Sequence, residues 1–173
     1  MRTAVVYHSP SGNTAKVARA IAAALTAAPG DEIVLGPVED TPAIEGCDLV
    51  FVGMPIERFG APEAAKRYLA EQCAGRRVAL FVTHSAPDSV EQLPAWLDAC
   101  REAAASAELV GFFHCQGALA EPVRQFMLSS GDAMLTQFAE MASCADGQPD
   151  DAALARAAEF ARETVAREAV ATA

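Results

Sequence analysis

Apolar and polar positions change along this chain in blocks rather than residue by residue. Short apolar runs alternate with longer segments in which apolar residues recur at helical spacing. The short runs predict strands at 3–8, 32–36, 48–53, 77–83 and 108–115. The helical spacing predicts helices at 13–27, 61–73, 89–107, 121–145 and 150–168, and the fourth of these is interrupted at "SSGD".

The first, third, fourth and fifth strands are continuously apolar, which is typical of a parallel sheet covered on both faces. Strands that alternate with helices therefore predict an α/β fold, a doubly wound parallel sheet of five strands with helices on both faces. No repeat or linker divides the chain, so we expect a single domain over 1–173. Residues 121–148 are expected to form an inserted helical segment, and residues 169–173 a frayed tail.

Composition and charge narrow the function. No apolar run approaches the roughly 20 residues that a membrane span needs. The first residues lack a secretory pattern, and the five cysteines show no CxxC spacing, so reduced thiols and a cytoplasmic location are expected. The net charge of −10 disfavours nucleic acids and anionic membranes as partners, and it favours basic protein surfaces.

The candidate ligand-binding residues lie directly after the predicted strands. In a doubly wound sheet, ligands bind beyond the carboxyl ends of the strands, near the point where the strand order reverses. Small, polar or turn-forming residues stand at four of these ends, in the segments "SPSGNT", "MPIERFGAP", "THSAPDS" and "HCQGALAEP". These four segments are therefore the first places to look for a ligand site.

The first of these loops offers neutral donors at the start of a helix. Its hydroxyls, amide group and flexible glycine come from Ser9, Ser11, Gly12, Asn13 and Thr14. Neither a Walker loop nor a GxGxxG pattern is present. Unpaired N–H groups at the helix start suit a terminal phosphate monoester without magnesium. The alternative interpretation is an ordinary helix N-cap.

The motifs resemble those of the flavodoxin-like family, and the likeness runs through the whole chain in order. "SPSGNTAKVARAI" is similar to the phosphate loop, and "DLVFVGMPIERFGAPEAAKRYL" to the third strand with the first flavin loop. "RRVALFVTHSAPDS" resembles the fourth strand with the second flavin loop, and "GFFHCQG" the fifth strand of a short bacterial branch. The resemblance implies strand order 2-1-3-4-5 and flavin mononucleotide (FMN) as cofactor.

The resemblance also implies which residues bind FMN. The phosphate would be held by Ser9, Ser11, Gly12, Asn13 and Thr14. One face of the flavin ring would be covered by Met54, Pro55, Ile56, Glu57, Phe59 and Gly60. The other face or the pyrimidine edge would be lined by Thr83, His84, Ser85 and Ala86.

The sequence departs from the flavodoxin pattern in its aromatic residues. Flavodoxins stack the ring between a Trp and a Tyr, but the only Trp here, Trp96, falls in a predicted helix. Phe59 is the first stacking candidate and His84 the second, although either could have a purely structural role. Cys115, near the end of the fifth strand, is either a core residue or a redox-active thiol.

Three functions stay open at this point. The first is an electron carrier whose acidic surface docks on basic redox partner proteins. The second is an FMN-dependent oxidoreductase that acts on a quinone or tetrapyrrole, with His84 or Cys115 assisting proton transfer. The third is a flavin-free binding or scaffold protein. The apolar residues of 121–145 would pack as an extra helix, cover the site or meet a partner.

Overall fold

One parallel sheet forms the centre of the computed structural model, which describes residues 1–26, 32–40 and 42–171. Its strands are β1 (Arg2–Tyr7), β2 (Glu32–Pro37), β3 (Leu49–Pro55), β4 (Arg77–His84) and β5 (Glu108–Gln116). They pair in the order β2-β1-β3-β4-β5, and every pairing is parallel. This confirms the predicted fold class and strand order.

Helices connect and cover the strands. They are α1 (Asn13–Leu25), α2 (Glu63–Gln72), α3 (Leu93–Glu102), α4 (Glu121–Ser129), α5 (Ala133–Met141) and α6 (Asp151–Ala171). Two short 3-10 segments, Val38–Asp40 and Ala142–Ala145, complete the elements. Among the described residues, no helix is both long and apolar enough to cross a membrane.

The helix bounds differ from the prediction by up to five residues, since α2 covers Glu63–Gln72 rather than 61–73 and α3 ends at Glu102 rather than 107. Three further differences are informative. α3 begins at Leu93 instead of residue 89, because Pro94 belongs in a first helical turn, where its missing N–H is not needed. The predicted helix 121–145 is divided, since Gly131 has a positive φ of 73° and the Asp132 carboxylate accepts from Met134 N to start α5. α6 runs through Ala171, so residues 169–171 are helical rather than frayed.

Two of the predicted segments extend beyond the residues that the structure describes. Residue 27, at the end of the first predicted helix, lies outside the described residues, as do residues 172–173 of the predicted tail.

The central strands are buried on both faces. On one face, the side chains of Val5, Phe51 and Phe81 pack against α1 and α6. On the other face, Val52 and Leu80 pack against α2 and α3. The sheet therefore has no free surface at its centre, and polar groups are confined to the ends of the strands.

β5 is less buried than its apolar sequence suggests. It lies at the edge of the sheet, pairs with β4 alone among the described strands, and most of its residues are half-buried. The Arg101 guanidinium lies over the ring of Phe112, 3.7 Å from the ring centroid, and so covers part of this strand. The prediction of full cover on both faces was wrong for β5, because an edge strand lacks one neighbour.

Backbone hydrogen bonds hold the loops together at the carboxyl edge of the sheet. The amide of His8 donates to the carbonyl of Gly53 at 2.9 Å, and the amide of Ile56 donates to Thr83 O at 2.8 Å. Gly117 N donates to His84 O at 2.9 Å. The loops after β1, β3, β4 and β5 thus have fixed relative positions.

Gly53 gives the sharpest test of the packing in the sheet. A Cβ at this position would lie 2.1 Å from the ring of the buried Phe81, which pairs with Gly53 on the neighbouring strand. We expect Gly53→Ala to lower the free energy of unfolding in urea by about 1–3 kcal/mol, because the ring has to move within a closely packed core.

The matched control is Gly53→Ala/Phe81→Leu. The smaller side chain makes room for the new methyl group, so the double variant should lose less stability than the sum of the two single variants. Strictly additive losses would contradict the predicted clash.

Candidate functional site

The loop between β1 and α1 is bent back on itself. Gly12 adopts a φ of 85°, a left-handed conformation that glycine adopts without strain, and its amide donates to Ser9 O at 3.3 Å. The Ser9 hydroxyl accepts from the amide of Ala15 at 3.0 Å. A Cβ on Gly12 would meet no atom within 4 Å, so the space beside this bend is open.

The start of α1 presents donors to that open space. Within the described residues, the backbone amides of Ser11, Asn13 and Thr14 donate to no protein acceptor, as expected for the first turn of a helix. These amides and the positive end of the helix dipole favour an anion. The loop therefore fits a phosphate monoester, as its sequence predicts.

Two side chains of this loop connect it to other elements. The Asn13 amide nitrogen donates to Ala118 O at 2.7 Å and to the Ser11 hydroxyl at 3.2 Å. The hydroxyls of Thr14 and Thr83 form a buried hydrogen bond of 2.9 Å. A Cβ on Gly117 would lie 3.0 Å from Asn13 Cβ, so the glycine allows the loop after β5 to approach. The bend is thus tied to both β4 and β5.

The loop after β3 is a tight two-residue turn. Glu57 and Gly60 exchange backbone hydrogen bonds of 2.9 and 3.0 Å, while Arg58 and Phe59 have positive φ values of 48° and 68°. This is the pattern of a type I′ turn, which usually contains Asn or Gly. Each non-glycine residue in such a conformation costs about 1–3 kcal/mol, and strain of this kind is concentrated at functional sites.

The turn presents an aromatic ring. Phe59 is 57% exposed, and its ring centroid lies 5.0 Å from that of Trp96 on α3. Trp96 in turn lies 6.1 Å from Phe138 on α5. The sequence predicts a helix at Trp96 and so gives it no part in stacking, yet it lies beside the loop after β3. The signal for it was Pro94, which places Trp96 in the first turn of α3, near the carboxyl edge of the sheet.

The other residues predicted for this loop are divided between core and surface. Met54 is fully buried, whereas Pro55, Ile56 and Gly60 are half-buried. Glu57 is exposed, and one of its carboxylate oxygens lies 3.5 Å from His8 Nε2. His8 Nδ1 contacts the carboxylate of Glu39. His8, which no sequence motif singles out, joins the loop after β3 to the 3-10 segment after β2.

The last two residues of β4 point their side chains in two directions. Thr83 faces α1, while the buried His84 faces the opposite side of the sheet. His84 Nδ1 donates to Ala86 O at 3.0 Å, and His84 Nε2 lies 3.1 Å from His114 Nδ1. Burial lowers the pKa of both imidazoles, so they are neutral near pH 7. The His84 ring, our second stacking candidate, is covered by His114; Ser85 is half-buried and Ala86 is buried.

Cys115 belongs to the core. It packs with the residues under α1 and α6, and burial raises the pKa of its thiol to about 12. A thiol with such a pKa is protonated near neutral pH and is a poor nucleophile. The structure supports the interpretation of Cys115 as a core residue.

The sequence of this chain matches one family of known proteins. A sequence model described as a flavodoxin domain matches residues 4–162. A search of curated proteins gave no match.

Solved structures share the fold at low sequence identity. A flavodoxin from the domain Archaea has a TM-score of 0.62 at 15% identity, over 97% of this chain and 99% of that one. Oxidised Flavodoxin 2 from Bacillus cereus has a TM-score of 0.60 at 18% identity, over 96% and 99%. Two-electron reduced flavodoxin from Megasphaera elsdenii has a TM-score of 0.51 at 22% identity, over 84% and 100%.

The placement of the thiols predicts their order of reaction. We expect iodoacetamide at about pH 8 to alkylate the exposed Cys144 first and the half-buried Cys47 more slowly. Cys73, Cys100 and Cys115 are buried, with pKa values raised to about 12, 11 and 12, and should react only after unfolding. Peptide mass spectrometry of native and urea-treated protein measures this order, and rapid native labelling of Cys115 would contradict its place in the core.

Proposed function

The chain belongs to the flavodoxin domain family, whose cofactor is FMN, and we propose that it carries electrons between a reductase and a partner redox protein. The observation that carries the proposal is the open bend at the start of α1, which lies at the same carboxyl edge of the sheet as the loop with the exposed aromatic ring of Phe59. When bound, FMN supplies a redox centre that accepts and releases electrons.

The cradle would hold the phosphate through neutral donors. The backbone amides of Ser11, Asn13 and Thr14, which donate to no acceptor among the described residues, would bind the phosphate together with the Ser11 hydroxyl. The side-chain amide of Asn13 donates within the protein and would shape the cradle. The Ser9 hydroxyl accepts from Ala15 N and would keep its proton to donate to the phosphate. The Thr14 hydroxyl would accept from Thr83 and donate to the phosphate, because a hydroxyl can donate one hydrogen bond and accept others.

The ring would lie against the two loops that flank the carboxyl ends of β3 and β4. Phe59 is the side chain best placed to stack on one face, and Trp96 behind it restrains the phenyl ring. The segment from Thr83 to Ala86 would supply backbone groups toward the other face or the pyrimidine edge. His8 would hold the first loop in place through its contact with Glu57.

The charge distribution supports a protein partner with a basic surface. The chain carries a net charge of −10, and exposed carboxylates surround the carboxyl edge of the sheet at Asp40, Glu57, Asp88 and Glu91. Such a field accelerates encounter with a positively charged surface, and added salt screens it. The exposed Phe59 ring would lie at the centre of this docking face.

The alternative of an oxidoreductase acting on a small molecule has less support. Of the two side chains considered for proton transfer, Cys115 is a buried thiol and His84 is covered by His114. The flavin-free alternative is disfavoured by the family and by the open cradle. Turnover of a quinone with NAD(P)H by the purified chain alone would favour the oxidoreductase.

Removal of cradle hydroxyls should weaken FMN binding. We expect Ser11→Ala/Thr14→Val to raise the Kd for FMN by about tenfold or more, since a hydrogen bond to a charged group contributes about 1.5–3 kcal/mol. Quenching of flavin fluorescence in a titration measures the Kd. The matched control is Ser106→Ala, an exposed serine before β5 at the other end of the sheet. Equal affinities in all three proteins would reject the cradle as the phosphate site.

Charge reversal at the docking face should slow electron transfer. We expect Asp40→Lys/Glu91→Lys to slow reduction of a basic haem protein, ferricytochrome c, several-fold at low ionic strength. Stopped-flow rates of the dithionite-reduced protein at increasing salt measure this effect, and the wild-type rate should fall as salt rises. Glu71→Lys, at the end of α2 away from this face, is the control. Rates that depend equally on salt in all three proteins would place the docking face elsewhere.

A further inference from the structure

The side chains of His84, Asp88 and His114 converge on the face of the sheet that carries α2 and α3. Because Val82 pairs with His114, His84 lies two residues farther along β4, diagonally across from His114 and on the same face. Asp88 follows four residues after His84, in the loop that leads to α3. One nitrogen from each imidazole and one carboxylate oxygen lie within 4.8 Å of one another.

The tautomer of His84 is fixed by its surroundings. A carbonyl oxygen can only accept, so the 3.0 Å bond to Ala86 O places the proton of the neutral ring on Nδ1. The lone pair of Nε2 then accepts from His114 Nδ1–H, so metal binding by both nitrogens requires the His114 proton to move to its own Nε2. Gln116 Nε2 also donates to Ala86 O at 3.0 Å, which holds this carbonyl in place. A backbone carbonyl that accepts from the remote ring nitrogen is the usual support of a metal-binding histidine.

The distances suit a small divalent ion. Two imidazole nitrogens bound to tetrahedral zinc at about 2.0–2.1 Å lie roughly 3.3 Å apart, and His84 Nε2 and His114 Nδ1 are 3.1 Å apart. The Asp88 carboxylate oxygen lies 3.8 Å from His84 Nε2, and its side chain is 74% exposed. It can therefore move the remaining distance without disturbing the core.

The charges around the three side chains do not oppose the binding of a cation. Arg101 is the nearby positive group, and its guanidinium is held by Asp98 at 2.5 Å and by the ring of Phe112. Cys144 is exposed and contacts Gln116, its Sγ lying 3.3 Å from Gln116 Nε2. The thiol is a competing metal ligand that an experiment has to separate from the imidazoles.

We propose that His84, Asp88 and His114 form a binding site for one divalent transition-metal ion, with zinc as the best-fitting probe. Two imidazoles and one carboxylate leave at least one position open to water or a ligand, which is the donor set of reactive rather than purely structural metal sites. The site lies on the β4 loop proposed to border the flavin ring, but Asp88 and His114 are outside the set of residues proposed to bind FMN. The two proposals can therefore fail independently.

The test is calorimetric titration of ZnCl2 into the purified protein after treatment with a chelator and desalting. We expect saturable binding of one ion per chain, and a loss of affinity of at least tenfold in both Asp88→Asn and His114→Ala. Asp88→Asn is the informative variant if His114→Ala is unstable, because the exposed Asp88 side chain carries none of the core. FMN fluorescence titration of the same variants should give an unchanged Kd.

His8→Ala and Cys144→Ser are the matched controls. His8 is the one histidine of the sequence outside the proposed site. It lies between the carboxylates of Glu39 and Glu57, and these three side chains could compete for zinc. Both controls should bind zinc as the wild type does. In NMR spectra, zinc should shift the ring protons of His84 and His114 and leave those of His8 unchanged. Absence of saturable binding, or loss of affinity only in a control variant, would overturn the proposal.

Discussion

Burial of the central strands on both faces is the constraint on which the rest of this structure depends. β1, β3 and β4 pack against helices above and below, so their middle residues have to be apolar and closely packed. Gly53 lies against the Phe81 ring with no room for a side chain. Polar chemistry is thereby restricted to the strand ends, and the parallel arrangement gathers four of those ends at one edge.

A small number of hydrogen bonds then turns four separate loops into one site. The buried hydroxyl pair of Thr14 and Thr83 joins the start of α1 to β4, and Asn13 joins it to the loop after β5. A buried hydroxyl without a partner is costly, so the two threonines depend on each other. The loop proposed to hold the phosphate is consequently fixed in position without a ligand, which would reduce the entropy cost of binding.

The same edge carries two chemically different surfaces. Alternation along β4 sends Thr83 toward the cradle and His84 toward the opposite face, where it meets His114. The cradle offers neutral donors to an anion, whereas the imidazoles and Asp88 offer lone pairs to a cation. If both sites are occupied, a metal ion and a flavin would share one loop, and the ion would change the electrostatic environment of the flavin.

The sequence by itself determined the fold class and singled out the loop that we propose to hold the phosphate. Apolar runs and helical spacing are local signals of burial, and the loop motif lies within six consecutive residues. The strand order and the cofactor came from the family resemblance.

The sequence could not place Trp96 against Phe59, His8 between two carboxylates, or His84 against His114. These contacts join residues 30 or more positions apart, and pairing across strands and packing across layers set them in the tertiary structure. The partial burial of β5 was also decided by the tertiary structure, since no local sequence pattern shows which strand lies at the edge of the sheet.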